Sequence, residues 1–106
     1  MKAINNVETI RKEIKNGSVL LKFSASWCYP CKILNETISG IENDFNNVSF
    51  IEVDIDDVDD DSILTEYNIK NIPVVFFMKD GLITNKVVGS VDKNVIIENL
   101  NKLNNA

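Results

Sequence analysis

Apolar residues recur along the chain with two distinct periods. Ile4, Val7, Ile10 and Ile14 fall three and four residues apart, the spacing of one helical face, and Asn16-Gly17 supplies a helix stop. Val19 to Phe23 is a nearly continuous apolar run, which suits a central strand buried on both faces. Leu34, Ile38, Ile41 and Phe45 return to helical spacing and form one apolar stripe. Val48 to Ile55 is β-branched and apolar, hence a strand, and its end runs into the acidic stretch Asp54 to Asp61. A short helix is expected over about Ser62 to Tyr67, capped by Asp60 or Asp61. Pro73 opens a third strong strand, Val74 to Met78. Asp80-Gly81 is a hairpin signal, with Leu82 to Val88 returning. Asp92 can cap a last helix that turns Ile96, Leu100 and Leu103 inward, and Met1 to Ile4 adds a short edge strand. The predicted order is (β)αβαβαββα. Strands alternating with helices pair in parallel, and the late hairpin adds an antiparallel pair. The expected fold class is α/β, a central mixed β-sheet with helices on both faces.

The chain has 106 residues, which fits one domain over residues 1–106. Hydrophobic residues make up 44% of it and charged residues 25%, enough for one core without disulfide staples. The net charge of −5 argues against general attraction to nucleic acid or to an anionic membrane. Histidine is absent, which removes the usual acid/base group at neutral pH and the commonest metal ligand. The N-terminal residues carry no long apolar stretch of the secretory type, and no apolar run is long enough to span a bilayer. A cytoplasmic, monomeric protein in a reducing compartment is the expectation, and there a pair of close cysteines is catalytic or metal-binding rather than a staple.

The only two cysteines lie in Ser26-Trp27-Cys28-Tyr29-Pro30-Cys31-Lys32, between the strand at Val19 to Phe23 and the helical stripe. A C-x-x-C at a strand-to-helix junction is the layout of a dithiol/disulfide redox centre. Residues three apart on a first helical turn face the same side, so two sulfurs can meet there. At the helix start, unpaired N–H groups and the helix dipole favour a thiolate at Cys28, and the thiolate is the nucleophile of disulfide exchange. Cys28 is expected to be the exposed, attacking sulfur and Cys31 the buried, resolving one. A zinc site would need about four ligands, and the chain supplies no third cysteine and no histidine. An inert pair of packed thiols is the remaining bland alternative. The acidic run invites a calcium reading, but the EF-hand register from Asp57 puts Ser62 at the glycine position and Asn68 at the bidentate glutamate position. A solvated acidic loop with a helix cap is the simpler account.

These residues resemble the thioredoxin family over nearly the whole chain. Trp27-Cys28-Tyr29-Pro30-Cys31-Lys32 is similar to the family's W-C-x-P-C-K, and Ile72-Pro73 before a strand resembles its cis-proline loop facing the active site. Asp80-Gly81 followed by Val88-Gly89 resembles its terminal hairpin and the glycine beside the substrate groove. The resemblance implies a thiol–disulfide oxidoreductase that reduces protein disulfides through Cys28 and Cys31. It would carry no bound cofactor and no metal, and would draw electrons from a thioredoxin reductase or an equivalent donor. The substrate groove would then comprise Trp27, Tyr29, Pro30, Ile72, Pro73 and Gly89. On the residues alone, Pro30 is simply a good helix starter, Trp27 is a platform or a core filler, Pro73 is cis or trans, and Gly89 admits a substrate or makes a plain turn.

The chain departs from the family at three places. Many thioredoxins carry a buried aspartate where this chain has Lys22. A lysine there either tunes the thiols, as a neutral amine with lowered pKa or as a cation, or lays its stem in the core and snorkels its head to water. Snorkelling is the preferred expectation. Tyr29 replaces the usual glycine between the cysteines, and Ser24 replaces a tryptophan common beneath the site. Ser24 bears on local packing and not on the chemistry, whereas Tyr29 and Lys22 keep in view a glutaredoxin-like, oxidase or isomerase enzyme of different poise. A non-catalytic binding module on the same fold is a separate alternative, against which the intact cysteines argue.

Overall fold

The computed structural model describes residues 1–104; residues 105 and 106, which complete the expected domain, lie outside the described residues. The elements follow the predicted order: β1 (Lys2–Ala3), α1 (Val7–Glu13), β2 (Ser18–Ser24), α2 (Tyr29–Ser39), β3 (Val48–Asp54), α3 (Ser62–Glu66), β4 (Val74–Lys79), β5 (Leu82–Val88) and α4 (Lys93–Asn104). The five strands form one sheet in the order β1-β3-β2-β4-β5. β3 pairs in parallel with both β1 and β2, whereas β4 pairs antiparallel with β2 and with β5.

The apolar runs explain this order. All seven residues of β2 are buried, as the centre of a sheet covered on both sides requires. Val19, Leu21 and Phe23 face one core, which they share with Val7 and Ile10 of α1, Ile63 of α3, and Phe76 and Met78 of β4. Leu20 faces the other, with Leu34 and Ile38 of α2, Phe50, Val75, Phe77, and Ile96, Leu100 and Leu103 of α4. The period of two along the strands thus sorts α1 and α3 onto one face and α2 and α4 onto the other.

Local chemistry sets the element ends. Asn6 caps α1 by accepting the Thr9 N–H at 2.9 Å, and Asp59 accepts the Val7 N–H at 2.9 Å, which ties the acidic loop to that helix. At the hairpin, Asp80 (φ 50°) and Gly81 (φ 84°) take the left-handed pair of a two-residue turn. The α2 stripe is shorter than its periodicity suggests. Helix α2 ends at Ser39 with Gly40 as its cap, and Glu42–Asp44 is a separate 3₁₀ turn. Ile41 and Phe45 still reach the same core, so the burial pattern survives the break in the helix. Ile4 likewise precedes α1 rather than lying within it, and packs on the core from the loop. For α3, Asp61 occupies the cap position without a side-chain bond, while Asp60 Oδ1 accepts the Ser62 N–H at 2.9 Å.

Truncating the central strand is expected to be costly. Leu20→Ala, at a position with no solvent exposure, should lower unfolding free energy by about 2–5 kcal/mol. Leu82→Ala, on the exposed face of β5, should stay within about 0.5 kcal/mol of the parent. Urea titration of both variants measures the contrast.

Candidate active site

The chain leaves the end of β2 at Ser24, turns through Ala25-Ser26-Trp27, and enters α2 at Tyr29. The Cys28 N–H closes the turn on the Ala25 carbonyl at 3.2 Å. Cys28 is the N-cap of α2, with extended backbone, and its Sγ accepts the Cys31 N–H at 3.3 Å. Pro30 sits in the first helical turn, where a missing N–H leaves no intrahelical bond unmade. Cys28 and Cys31 are joined in a disulfide, with Cα atoms 5.3 Å apart. The sulfurs therefore meet at the helix N-terminus, where unpaired N–H groups stabilise negative charge.

Exposure separates the two sulfurs less than expected. Cys31 is 1% exposed, but Cys28 is only 5% exposed in the disulfide form. Cys28 belongs to a small apolar cluster with Ala25 and Cys31, against which Ile55 and Ile72 pack. Around them the surface is apolar and open. Trp27 is 67% and Tyr29 71% exposed, so Trp27 is no core filler. Its indole N–H donates to Asp56 Oδ2 at 2.7 Å, which fixes the ring beside the site. The Ile72-Pro73 bond is cis, and Ile72 packs against the disulfide. The Pro73 carbonyl accepts the Gly89 N–H at 2.8 Å, joining the loop before β4 to the end of β5. Gly89 has φ 90°, and a Cβ there would meet open space. The glycine serves a backbone conformation that L side chains avoid, on an unobstructed side.

Lys22 corrects the snorkelling expectation. Its side chain has no exposure, and its ammonium does not reach water. Nζ donates to Asn35 Oδ1 at 2.6 Å and to Glu52 Oε2 at 2.8 Å. Ser24 Oγ donates to the same Glu52 oxygen at 3.0 Å. The parallel register sets Lys22 directly beside Glu52 and Ser24 beside Asp54, while Asn35 reaches in from α2. A buried charge must be paired, and with partners this close the lysine head has no reason to seek the surface. Burial lowers the Lys22 pKa, an effect the bond and charge of Glu52 oppose. Burial alone would raise Glu52, but the hydrogen bond and charge of Lys22, helped by Ser24 and Asn35, bring it below the ordinary carboxylate value. Glu52, Asn35 and Asp56 are the site residues that sequence reasoning missed. Glu52 left a signal: along Val48 to Asp54 it breaks the apolar pattern on the face it shares with Phe50, opposite the one lysine of the buried strand.

The acidic run divides among small tasks: Asp56 holds Trp27, Asp59 holds α1, and Asp60 holds the start of α3. Among the described residues, no group of three cysteine or acidic side chains is placed to hold a metal ion.

The Lys22–Glu52 pair has a signed consequence for stability. The Glu52 pKa is lower folded than unfolded, so its contribution is complete above the unfolded value and disappears as pH falls through the folded one. The lowered Lys22 pKa acts on the alkaline side, outside this window. Lys22→Met should therefore flatten the loss of stability between roughly pH 5 and pH 2. Urea unfolding of parent and variant across that range measures the change in slope.

A family model described as Thioredoxin matches residues 2–102. A thioredoxin of Mycoplasmoides gallisepticum is 36% identical over 99 residues, covering 92% of this chain and 97% of that protein. A thioredoxin of Chlamydia caviae is 32% identical over 102 residues, covering 96% of this chain and 98% of that protein. Among solved structures, thioredoxin from Trypanosoma brucei brucei superposes with a TM-score of 0.87 at 22% identity, covering 98% of this chain and 90% of that one. The oxidised form of mitochondrial thioredoxin 3 from Saccharomyces cerevisiae gives 0.85 at 23% identity, covering 96% and 94%. These two structures establish a shared fold.

Proposed function

The chain belongs to the thioredoxin family, whose members are thiol–disulfide oxidoreductases, and we propose that it reduces protein disulfides with Cys28 as the attacking and Cys31 as the resolving sulfur. The observation that carries this assignment is the position of Cys28 as the N-cap of α2, with the Cys31 N–H directed at its sulfur. A reduced Cys28 there is stabilised as a thiolate by the helix N-terminus. It attacks one sulfur of a substrate disulfide; the Cys28–substrate bond forms and the substrate's own disulfide breaks. Cys31 then attacks Cys28, the disulfide closes, and the substrate leaves as a dithiol. Two electrons pass from the protein to the substrate, and a thioredoxin reductase or an equivalent dithiol donor restores them.

Trp27, Tyr29, Pro30, Ile72, Pro73 and Gly89 form the groove that receives the substrate chain. Exposed aromatic rings at Trp27 and Tyr29 give an apolar contact, and no other backbone group is bonded to the Ile72 N–H or carbonyl among the described residues. An extended substrate segment can pair with that free backbone beside the sulfurs. Near Gly89 no side chain stands in its way. In this reading residues 1–106 act as one domain, a cytoplasmic monomer carrying electrons without a bound cofactor.

Cys31→Ser should trap a stable mixed disulfide between Cys28 and a substrate protein, visible as a reducible adduct on a gel and by mass spectrometry. Cys28→Ser should form none and should lose turnover with a thioredoxin reductase. A Cys31→Ser protein that forms no adduct, or one that forms it at a residue other than Cys28, contradicts the assignment.

A further inference from the structure

Two loops press on the disulfide, and their charges differ in sign. Ile55 and Ile72 both pack against the cluster of Ala25, Cys28 and Cys31. Next to Ile55 the chain is acidic, with Asp54, Asp56 and Asp57, whereas next to Ile72 it carries Lys70 and no acid from Asn68 to Pro73. A cleft of about 120 Å³ opens there. Its walls include Lys70 and Lys86, Asn68 and Asn71, and the apolar Val74 and Val88, and no acidic residue borders it. Val74 and Val88 adjoin Pro73 and Gly89, so the cleft continues the substrate groove.

Both lysines are held in place, yet neither has an ionic partner. Helix α3 ends on a left-handed Asn68 (φ 54°), whose N–H donates to the Thr65 carbonyl at 3.0 Å, while the Ile69 N–H donates to the Leu64 carbonyl at 2.8 Å. This paired cap fixes the chain leading into Lys70, and Ile69 packs on the core beside it. Lys86 lies opposite Phe76 across β4 and β5, with its Nζ 5.8 Å from the centre of that ring, within cation–π range. Among the described residues, no carboxylate lies within ion-pair distance of either ammonium. In a chain of net charge −5, two unpaired cations on one cleft oppose the general field locally.

We propose that this cleft receives the carboxylate of an aspartate or glutamate two or three residues from the attacked cysteine of the substrate. This rests on the reading of the chain as a disulfide reductase whose substrate pairs along Ile72. An extended strand advances about 3.3 Å per residue, and Lys70 lies two residues before Ile72. A segment whose cysteine faces Cys28 therefore carries its second or third neighbour past Asn71 and Lys70. Lys70 and Lys86 supply the opposite charge, and the asparagine amides supply further donors. One water occupies about 30 Å³, so the space suits a side-chain carboxylate rather than a larger ligand. Lys32, directly after Cys31, is the other unpaired lysine close to the sulfurs in sequence, and it does not border the cleft.

The test uses disulfide-linked homodimers of a single-cysteine peptide, in which both sulfurs are equivalent. Glu, Gln or Lys occupies the second and third positions from the cysteine, before it in one set and after it in the other. Reduction by the reduced protein gives kcat/KM, divided by the rate with dithiothreitol to remove intrinsic reactivity. At about 0.05 M salt the parent should reduce the Glu peptide of one set about fivefold faster than the Gln peptide, the upper end for an exposed ion pair. The Lys peptide should be slower still. In about 1 M salt, where the Debye length falls to about 3 Å, the preference should vanish. Lys70→Gln/Lys86→Gln should remove it at low salt as well. The negative field of the whole chain alone predicts the opposite order, Lys before Glu, so the sign separates the cleft from the net charge. A Glu-to-Gln ratio of one in both sets overturns the proposal. So does a preference that survives in the double variant, or one that is lost in Lys32→Gln instead. A parent protein that reduces none of the peptides would remove the underlying reading as a disulfide reductase, and the proposal with it.

Discussion

Strand β2 has neighbours on both edges and cores on both faces, and the active edge of the molecule hangs from it. Its seven residues pair in register with β3 on one side, and six of them pair with β4 on the other. Four of those seven, Val19, Leu20, Leu21 and Phe23, are apolar and need only the cores. Lys22 needs more, because an ammonium at the centre of a sheet is tolerated only with partners. The parallel register supplies Glu52 on β3, and helix α2 supplies Asn35. The same pairing therefore satisfies the lysine, joins α2 to the sheet, and sets a carboxylate close to the helix that carries both sulfurs.

From that anchor the site follows by short steps. β2 ends at Ser24, the turn on Ala25 closes, and Cys28 becomes the cap of α2. The loop before β4 reaches the sulfurs through Ile72, because β4 lies next to β2 in the sheet. The end of β5 is tied to that loop by the Gly89–Pro73 bond. The end of β3 contributes Asp56, which holds Trp27. Four neighbouring strands, β3, β2, β4 and β5, thus each bring one end to the same edge, and a substrate disulfide meets a surface whose parts are fixed by the sheet rather than by the loops themselves.

Most of this was legible in the chain because two periods and a few punctuating residues carry it. The run Val19 to Phe23 announced a buried strand, Asp80-Gly81 a hairpin, and the spacing of Cys28 and Cys31 a redox pair. The α2 stripe misled at its end, since Ile41 and Phe45 share the burial of a helix without its backbone; Gly40, a poor helix former, was the available warning. Lys22 misled for a different reason. Whether a long cationic side chain snorkels or stays buried depends on what lies across the sheet, and that requires the register of β2 on β3. With the register in hand, Lys22 and Glu52 become an evident pair of opposite charges. Asn35 and Asp56 could not be found the same way, because they act from other elements through side-chain geometry alone.

If this site works as a reductant of disulfides, Tyr29 and the Lys22–Glu52 pair leave the Cys28–Cys31 couple in the thioredoxin range. The reduction potential of the Cys28–Cys31 couple tests this most directly, by equilibration against a thiol buffer with Trp27 fluorescence as the probe. The predicted value lies near the −270 mV typical of thioredoxins, within about 30 mV. A value of about −180 mV or higher, in the range of isomerases and oxidases, would contradict it.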